Sequence, residues 1–426
     1  MKNKPFRYHT LTKEQDLDIL VEEIGDARIV MLGEASHGTS EYYTWRTAIS
    51  KRLIQDKGFC CIAVEGDWPE CYSVNRFIKG YQNSGSKIAD VLQVYRRWPT
   101  WMWANWEVAA LVEWLRDYNH LKNGAEKAGF YGLDVYSLWE SLDQIVRFLE
   151  QRDGNAAEAA RNAINCFEPF NRDPQYYAQA TAFVPTDCEK EVMEMLQRIQ
   201  KQPAFSSDAE HDFNTKQNAL VAANAEKYYR AMMKGGVGSW NVRDAHMMET
   251  LDRLLELHGP DSKIIVWEHN THIGDARATD MADDGMYNIG QLAREKYGHE
   301  QVKLIGFGTY QGTVIAGKSW GAPMQKMEVP PAREGSWEAL LHEISTDDKI
   351  IFSKDLAEVA ELQKRIGHRA IGVVYDPKLE AYGNYVPTII PERYDAFIYF
   401  EDTEAVHPLH FTNRGSREPE LYPWNY

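Results

Sequence analysis

The chain has 426 residues, of which 44% are hydrophobic and 26% charged, so it is not a mainly disordered chain, a collagen or a disulfide-stapled miniprotein. Its 47 basic and 63 acidic residues sum to a net charge of −16, which repels phosphate backbones and anionic lipid and argues against nucleic-acid and membrane partners. No apolar run reaches the roughly 18 residues that a spanning helix needs, and the polar start from Met1 to Thr10 has no apolar h-region, so a cytoplasmic location is expected.

In chain order, Ala27 to Leu32 reads as a strand and Ser40 to Gln55 as a helix. Phe59 to Val64 is a second strand, followed by a helix from Pro69 to Ile78. Trp106 to Tyr118 has helical spacing, and Gly129 to Leu133 is a third strand. From about Ser137 to Lys234 no convincing strand occurs, and apolar residues fall at helical spacing in Val192 to Ile199 and Ala219 to Met232. Val242 to Leu257 is then a helix, Lys263 to Trp267 a strand, Ile289 to Tyr297 a helix and Val302 to Phe307 a strand. Beyond Gly308 the pattern turns irregular, with a hairpin expected near Gly308 to Ala316, a long loop through Pro330 and Pro331, further short strands such as Ala370 to Tyr375, and a last strand at Ala396 to Phe400.

This alternation predicts an α/β fold: a mostly parallel central sheet flanked by helices, with a large all-helical insertion and a smaller α+β subdomain toward the C-terminus. The expected division is a core over residues 1–136 and 239–307, a helical insertion over 137–238, an α+β subdomain over 308–394, and a closing strand and tail over 395–426. The five cysteines show no CxxC pair or zinc-ribbon spacing and are expected to be thiols. Thirteen Trp and 23 Tyr exceed what a core needs and suggest a ligand cleft.

Polar residues recur at the strand ends. The first strand runs into Glu34 and His37, the second into Glu65, the third into Asp134, and the fourth into His269 and His272. In α/β sheets the carboxyl ends of parallel strands share one edge, where ligands bind, so these residues are expected to converge. Taken singly, Glu34 could cap the next helix and His269 could be an ordinary buried histidine. Repetition at four strand ends favours a site. Carboxylates beside imidazoles suit proton transfer, with a histidine as general base and a carboxylate orienting it. No activated nucleophile is evident, so the natural reaction is attack by water on an ester-like centre. Arg46 and Arg243 lie on neighbouring helices and could clamp a carboxylate or an oxyanion, or form plain salt bridges.

Other motifs compete. Gly312 to Ser319 matches the P-loop pattern, but its spacer is β-branched and no helix start follows, so a strand and a turn are expected. Ser36 lacks the first glycine of a nucleophile elbow. His269 and His272 could ligate a metal with Glu34, Glu65 or His37, although HxxH in a loop is weak evidence. Trp101 and Trp103 lie in a Trp-rich stretch with only two basic residues. They either wall a cleft or pack the sheet.

At Gly-Glu-Ala-Ser-His-Gly (33–38), Arg46, Glu-Gly-Asp-Trp-Pro (65–69), Trp-Met-Trp (101–103), Arg243-Asp244 and Trp-Glu-His-Asn-Thr-His (267–272), the chain resembles the erythromycin esterase family. The resemblance runs from about residue 15 to 405. Some bacterial members carry the name succinoglycan biosynthesis protein. The resemblance implies a metal-independent ester hydrolase without a cofactor, acting on a macrolide or another bulky small-molecule ester. It implies His37 as the base that activates water, Glu34 as its orienting partner, and Glu65, His269 and Arg46 as the rest of the catalytic set. His272, Arg243, Trp101, Trp103 and Asp134 are the expected substrate-binding residues. Two other readings stay open: a metal-dependent hydrolase using His37, His269, Glu34 and Glu65, and a non-catalytic carbohydrate or small-molecule binder.

Overall fold

A computed structural model describes residues 6–150, 152–183, 187–202 and 208–409. The strands among them are β1 (His9–Thr10), β2 (Ile29–Leu32), β3 (Cys61–Asp67), β4 (Gly129–Asp134), β5 (Ile264–Trp267), β6 (Val302–Gly317), β7 (Met324–Val329), β8 (Lys349–Phe352), β9 (Ile366–Arg369), β10 (Tyr385–Thr388) and β11 (Ala396–Thr403). The chain forms two compact units. One comprises Met1–Ile62, Arg76–Gly129 and Asp261–Tyr426, and the other Ala63–Asn75 and Phe130–Pro260.

The first unit is built on a mixed sheet with the order β1-β8-β11-β6-β2-β5. Strands β5, β2, β6 and β11 run parallel, while β8 and β1 close one side antiparallel. The parallel strands read as unbroken apolar runs because both faces are covered. Ile29, Val30, Met31 and Leu32 are all buried, and each such side chain contributes roughly 1.5–3 kcal/mol on leaving water. Strand register places the loops. Leu32 lies between Trp267 and Ile305, so the segments after β2 and β5 emerge side by side. The helix Ser40–Lys57 then leaves the first of these segments, and it ends at Gly58 with φ +73°, a left-handed C-terminal cap.

The second unit holds most of β3 and β4, which are neighbours, and the helices Leu138–Leu149, Gly154–Phe167, Pro174–Phe183, Glu189–Lys201, Ala209–Met232 and Gly238–His258. Ala156, Ala160 and Ala163 fall on one helical face and pack with Leu142, Ile145, Val192 and Ile199 in its core. Asp153 and Asp208 start two of these helices by accepting backbone N–H bonds. Cys166 and Cys188 form a disulfide here, leaving Cys60, Cys61 and Cys71 as thiols. This corrects the expectation of five thiols. Spacing could not reveal the pair, because it is the packing of separate helices that brings the two residues together.

The tail of the first unit differs most from expectation. No hairpin turns near Gly308 to Ala316. Instead β6 runs 16 residues, and the hairpin to β7 turns after Gly317. Gly308 and Gly312 mark close approach rather than a turn. A Cβ at Gly308 would lie 2.6 Å from the Phe397 ring, and one at Gly312 (φ +143°) would lie 2.0 Å from Thr403 O. The P-loop look-alike is accordingly strand followed by turn. Ala370 to Tyr375 is not a strand but carries two isolated bridges, Ser36 to Ile371 and Gly317 to Val374. Strand β1 lies outside the sequence expectation, while β7, β8, β9 and β10 are the hairpin partner and short strands that were expected beyond Gly308 without being placed. No helix among the described residues is long and apolar enough to cross a membrane.

Candidate active site

In the first unit, the turn after β2 carries Glu34 and His37. His37 Nδ1 lies 2.7 Å from Glu34 Oε1, and Arg46 Nη2 lies 2.5 Å from Glu34 Oε2. The carboxylate is thus held from both sides by charge-assisted hydrogen bonds. Arg46 follows from the helix Ser40–Lys57, whose early turns carry it beneath the loop. It is fully buried, its Nε donates to Tyr42 O at 3.2 Å, and its guanidinium lies 4.7 Å from the Tyr43 ring and 4.6 Å from the Trp267 ring. Aromatic faces on either hand replace part of the hydration the cation gives up. Tyr43 Oη donates to His37 O at 3.1 Å, and Trp103 packs edge-on against Tyr43 at 6.2 Å.

A carboxylate accepts, so in neutral His37 the proton sits on Nδ1 and Nε2 is the basic nitrogen. The His269 ring lies 5.0 Å from the His37 ring, tilted by 46°. His269 Nδ1 accepts from Thr271 N at 3.2 Å and lies 2.8 Å from Thr271 Oγ1. Neutral His269 therefore carries its proton on Nε2, the complement of His37. His272 is buried on the short helix Asn270–Ile273. Ser36 Oγ is hydrogen-bonded to Thr39 Oγ1. The Ser36 hydroxyl is thus engaged by another hydroxyl rather than by the imidazole that activates a serine nucleophile.

In the second unit, Arg243 grips Asp134 with two bonds, Nε to Oδ1 at 2.9 Å and Nη2 to Oδ2 at 2.7 Å, and reaches Glu65 Oε1 with Nη2 at 2.6 Å. Its guanidinium stands 5.0 Å from the Tyr136 ring. Asp134 Oδ1 also accepts from Val135 N at 2.8 Å. Burial works to raise the Asp134 carboxyl, but the charge and hydrogen bonds of Arg243, with the Val135 N–H bond, together outweigh it and hold the group below its ordinary value. Burial likewise works against the Arg243 cation, and Asp134 and Glu65 outweigh it and raise its pKa. Both arginines singled out from sequence therefore rest on carboxylates.

Trp101 and Trp103 are 1% and 5% exposed. Trp101 meets the ring of Trp98 edge-on at 5.5 Å. The exposed indole of this region is Trp320, 57% exposed and 4.8 Å from the Trp98 ring. Sequence reasoning passed over Tyr43 and Asn270, although each lies within one or two helical turns of a residue it chose. Asn270 is fully buried behind the loop. Its N donates to Glu34 O at 2.9 Å.

The family model described as erythromycin esterase matches residues 54–403. An erythromycin esterase type II of Escherichia coli is 25% identical over 385 residues, covering 84% of this chain and 88% of that protein. Among solved structures, a succinoglycan biosynthesis protein superposes with a TM-score of 0.76 at 19% identity, covering 94% of this chain and 95% of the other. An erythromycin esterase mutant, EreC in its open conformation, superposes with a TM-score of 0.68 at 15% identity, covering 94% and 98%. These two likenesses carry the fold.

Proposed function

Because the chain belongs to the erythromycin esterase family, we propose that it hydrolyses a bulky ester with His37 as the general base. The observation that carries this reading is the Arg46–Glu34–His37 chain of contacts. Glu34 takes the Nδ1 proton of His37 as a hydrogen bond, which orients the ring and stabilises the imidazolium formed in the reaction. His37 Nε2 removes a proton from water as the water oxygen bonds to the ester carbonyl carbon. The tetrahedral intermediate then expels the alcohol, whose oxygen receives that same proton from His37. His269, with its proton on Nε2, supplies a hydrogen-bond donor for the developing oxyanion.

In this reading Arg46 positions Glu34 rather than touching substrate. A guanidinium 2.5 Å from Glu34 also opposes a second cation on that carboxylate, which supports chemistry without a metal. His272, three residues after His269, meets polar groups of the substrate. Asp134 and Glu65 set the orientation of Arg243, which takes no part in the proton transfers of this reading.

The test is turnover of p-nitrophenyl acetate and of 14- and 16-membered macrolides, each with and without chelator, by wild type and His37→Asn. Turnover that survives chelator and falls at least 100-fold in the variant is expected, since general-base catalysis contributes about 10²–10⁴-fold. Near-full activity in His37→Asn, or activity abolished by chelator, overturns the reading. Saturable macrolide binding without any turnover would instead favour a binding protein.

A further inference from the structure

Behind the His37 loop lies a second imidazole–carboxylate pair. His368 on β9 and Glu338 on the helix Trp337–Ile344 are both essentially unexposed, with His368 Nδ1 2.5 Å from Glu338 Oε1. Arg369 N donates to the same oxygen at 3.0 Å. His368 Nε2 lies 3.3 Å from Asn270 Nδ2. The His368 ring is walled edge-on by Phe397 at 5.3 Å and Tyr394 at 5.9 Å.

Asn270 is the hub of this arrangement. Its Nδ2 donates to Phe307 O at 2.6 Å and its Oδ1 accepts from Phe307 N at 3.2 Å. Its backbone N donates to Glu34 O at 2.9 Å, and its O accepts from Arg393 Nη2 at 2.8 Å. The fit leaves no slack. A Cβ at Gly33 would lie 2.0 Å from Asn270 Oδ1. Residue 33 immediately precedes Glu34, and residue 270 immediately follows His269.

The count of donors and acceptors gives the pair its role. An Asn amide has two N–H donors, and here they face Phe307 O and His368 Nε2. The second bond needs a lone pair on Nε2, so His368 must carry its proton on Nδ1, where Glu338 accepts it. Burial lowers the His368 pKa, with Glu338 working the other way. Burial works to raise Glu338, but His368 and Arg369 outweigh it and hold it below its ordinary range. Rotating the Asn270 amide by half a turn would set Oδ1 against both the Phe307 carbonyl and the Nε2 lone pair. Glu338 thus selects the His368 tautomer, and the tautomer adds an acceptor that reinforces the amide orientation set by Phe307 N and O.

We propose that the Glu338–His368 pair is a positioning device that locks Asn270 and so registers Glu34 against His269 across two strand ends. It rests on the reading of that loop as the hydrolytic site. It touches no reacting atom, and its effect is on alignment, where an error near 1 Å costs up to about 100-fold in rate.

Two nearly isosteric variants separate alignment from mere support. In His368→Gln the amide oxygen takes the place of Nε2 and still accepts from Asn270. In His368→Asn a donor toward Glu338 survives and the Asn270 contact is lost. We would measure kcat and KM for p-nitrophenyl acetate, thermal midpoints, and the ring nitrogen shifts of His37 and His269 by NMR. The expected result is kcat within about threefold of wild type for His368→Gln. His368→Asn should lose on the order of tenfold in kcat, with KM within about twofold and displaced shifts for His269. Rates that follow the thermal midpoints, with shifts unmoved in both variants, overturn the proposal. Should these variants not fold, Asn270→Asp, which keeps side-chain size and loses both donors, is measured instead, and unchanged kcat and His269 shifts in it overturn the proposal. If wild type turns over no ester yet the His269 shifts move in His368→Asn, the esterase reading fails while the positioning role stands.

Discussion

Replacing Arg243 by Met is the sharpest test of the electrostatics. The thioether chain keeps much of the volume of the arginine stem and removes the cation, which stands 5.0 Å from the Tyr136 ring. Asp134, whose side chain is 6% exposed, then loses the cation that grips it with two bonds. Breaking a buried pair by removing one partner costs about 3–5 kcal/mol. The pH dependence has a definite sign. In wild type the folded-state pKa of Asp134 lies below its unfolded value. Its contribution is therefore present above the unfolded pKa and is lost as pH falls through the folded one. In the variant, burial and the neighbouring Glu65 outweigh the Val135 N–H bond to Asp134 and the folded pKa rises above the unfolded value. Protonation then favours the folded variant as pH falls toward about 4. Urea unfolding followed by far-UV circular dichroism should show the full gap at about pH 7.5 and less than half of it near pH 4.5. A gap below about 1 kcal/mol near neutral pH, or one that stays constant with pH, would refute this account of the triad.

Two further expectations concern the helical unit. Burial pulls His246 down to about 4 from an ordinary 6.5. Between these values the unfolded chain holds a proton that the folded chain rejects, so stability falls as pH drops from about 6.5 to about 4, by up to about 3 kcal/mol. His246→Gln should flatten that slope in the same urea titrations, and an unchanged slope would assign it to other groups. The Cys166–Cys188 bond spans 22 positions, so opening it should cost about 3 kcal/mol of chain entropy. Thiol titration of the unreduced, denatured protein should count three groups, and a count of five would mean that the cross-link does not form.

The fold class was legible in the alternation of strands and helices, and the candidate site residues stood out for a physical reason. A strand such as β2, buried on both faces, must be apolar throughout, so the first acid after it stands out. Glu34 and His269 could be picked out in this way. The tail defeated the same logic because its glycines serve packing. Gly308 and Gly312 read as turns in sequence, yet they lie inside a 16-residue strand that Phe397 and Thr403 press against. The short strands β1 and β8 could not be placed because two to four residues carry too little periodicity to register. Glu338 and His368 were invisible for another reason. They stand 30 positions apart on a helix and a strand of a segment that looked irregular, and no local pattern links them.

What these clusters share is a desolvation penalty. Arg46 with Glu34, Arg243 with Asp134 and Glu65, and His368 with Glu338 each take ionisable groups out of water. Well-packed apolar side chains of similar volume would stabilise the same positions as well or better. A fold that needed only stability would not place them there. The first and third flank Glu34, one through its carboxylate and the other through Asn270 at its carbonyl oxygen. Such double tethering removes freedom from one carboxylate at a cost in desolvation. It makes sense where the orientation of that carboxylate, and of the imidazole it holds, sets a rate.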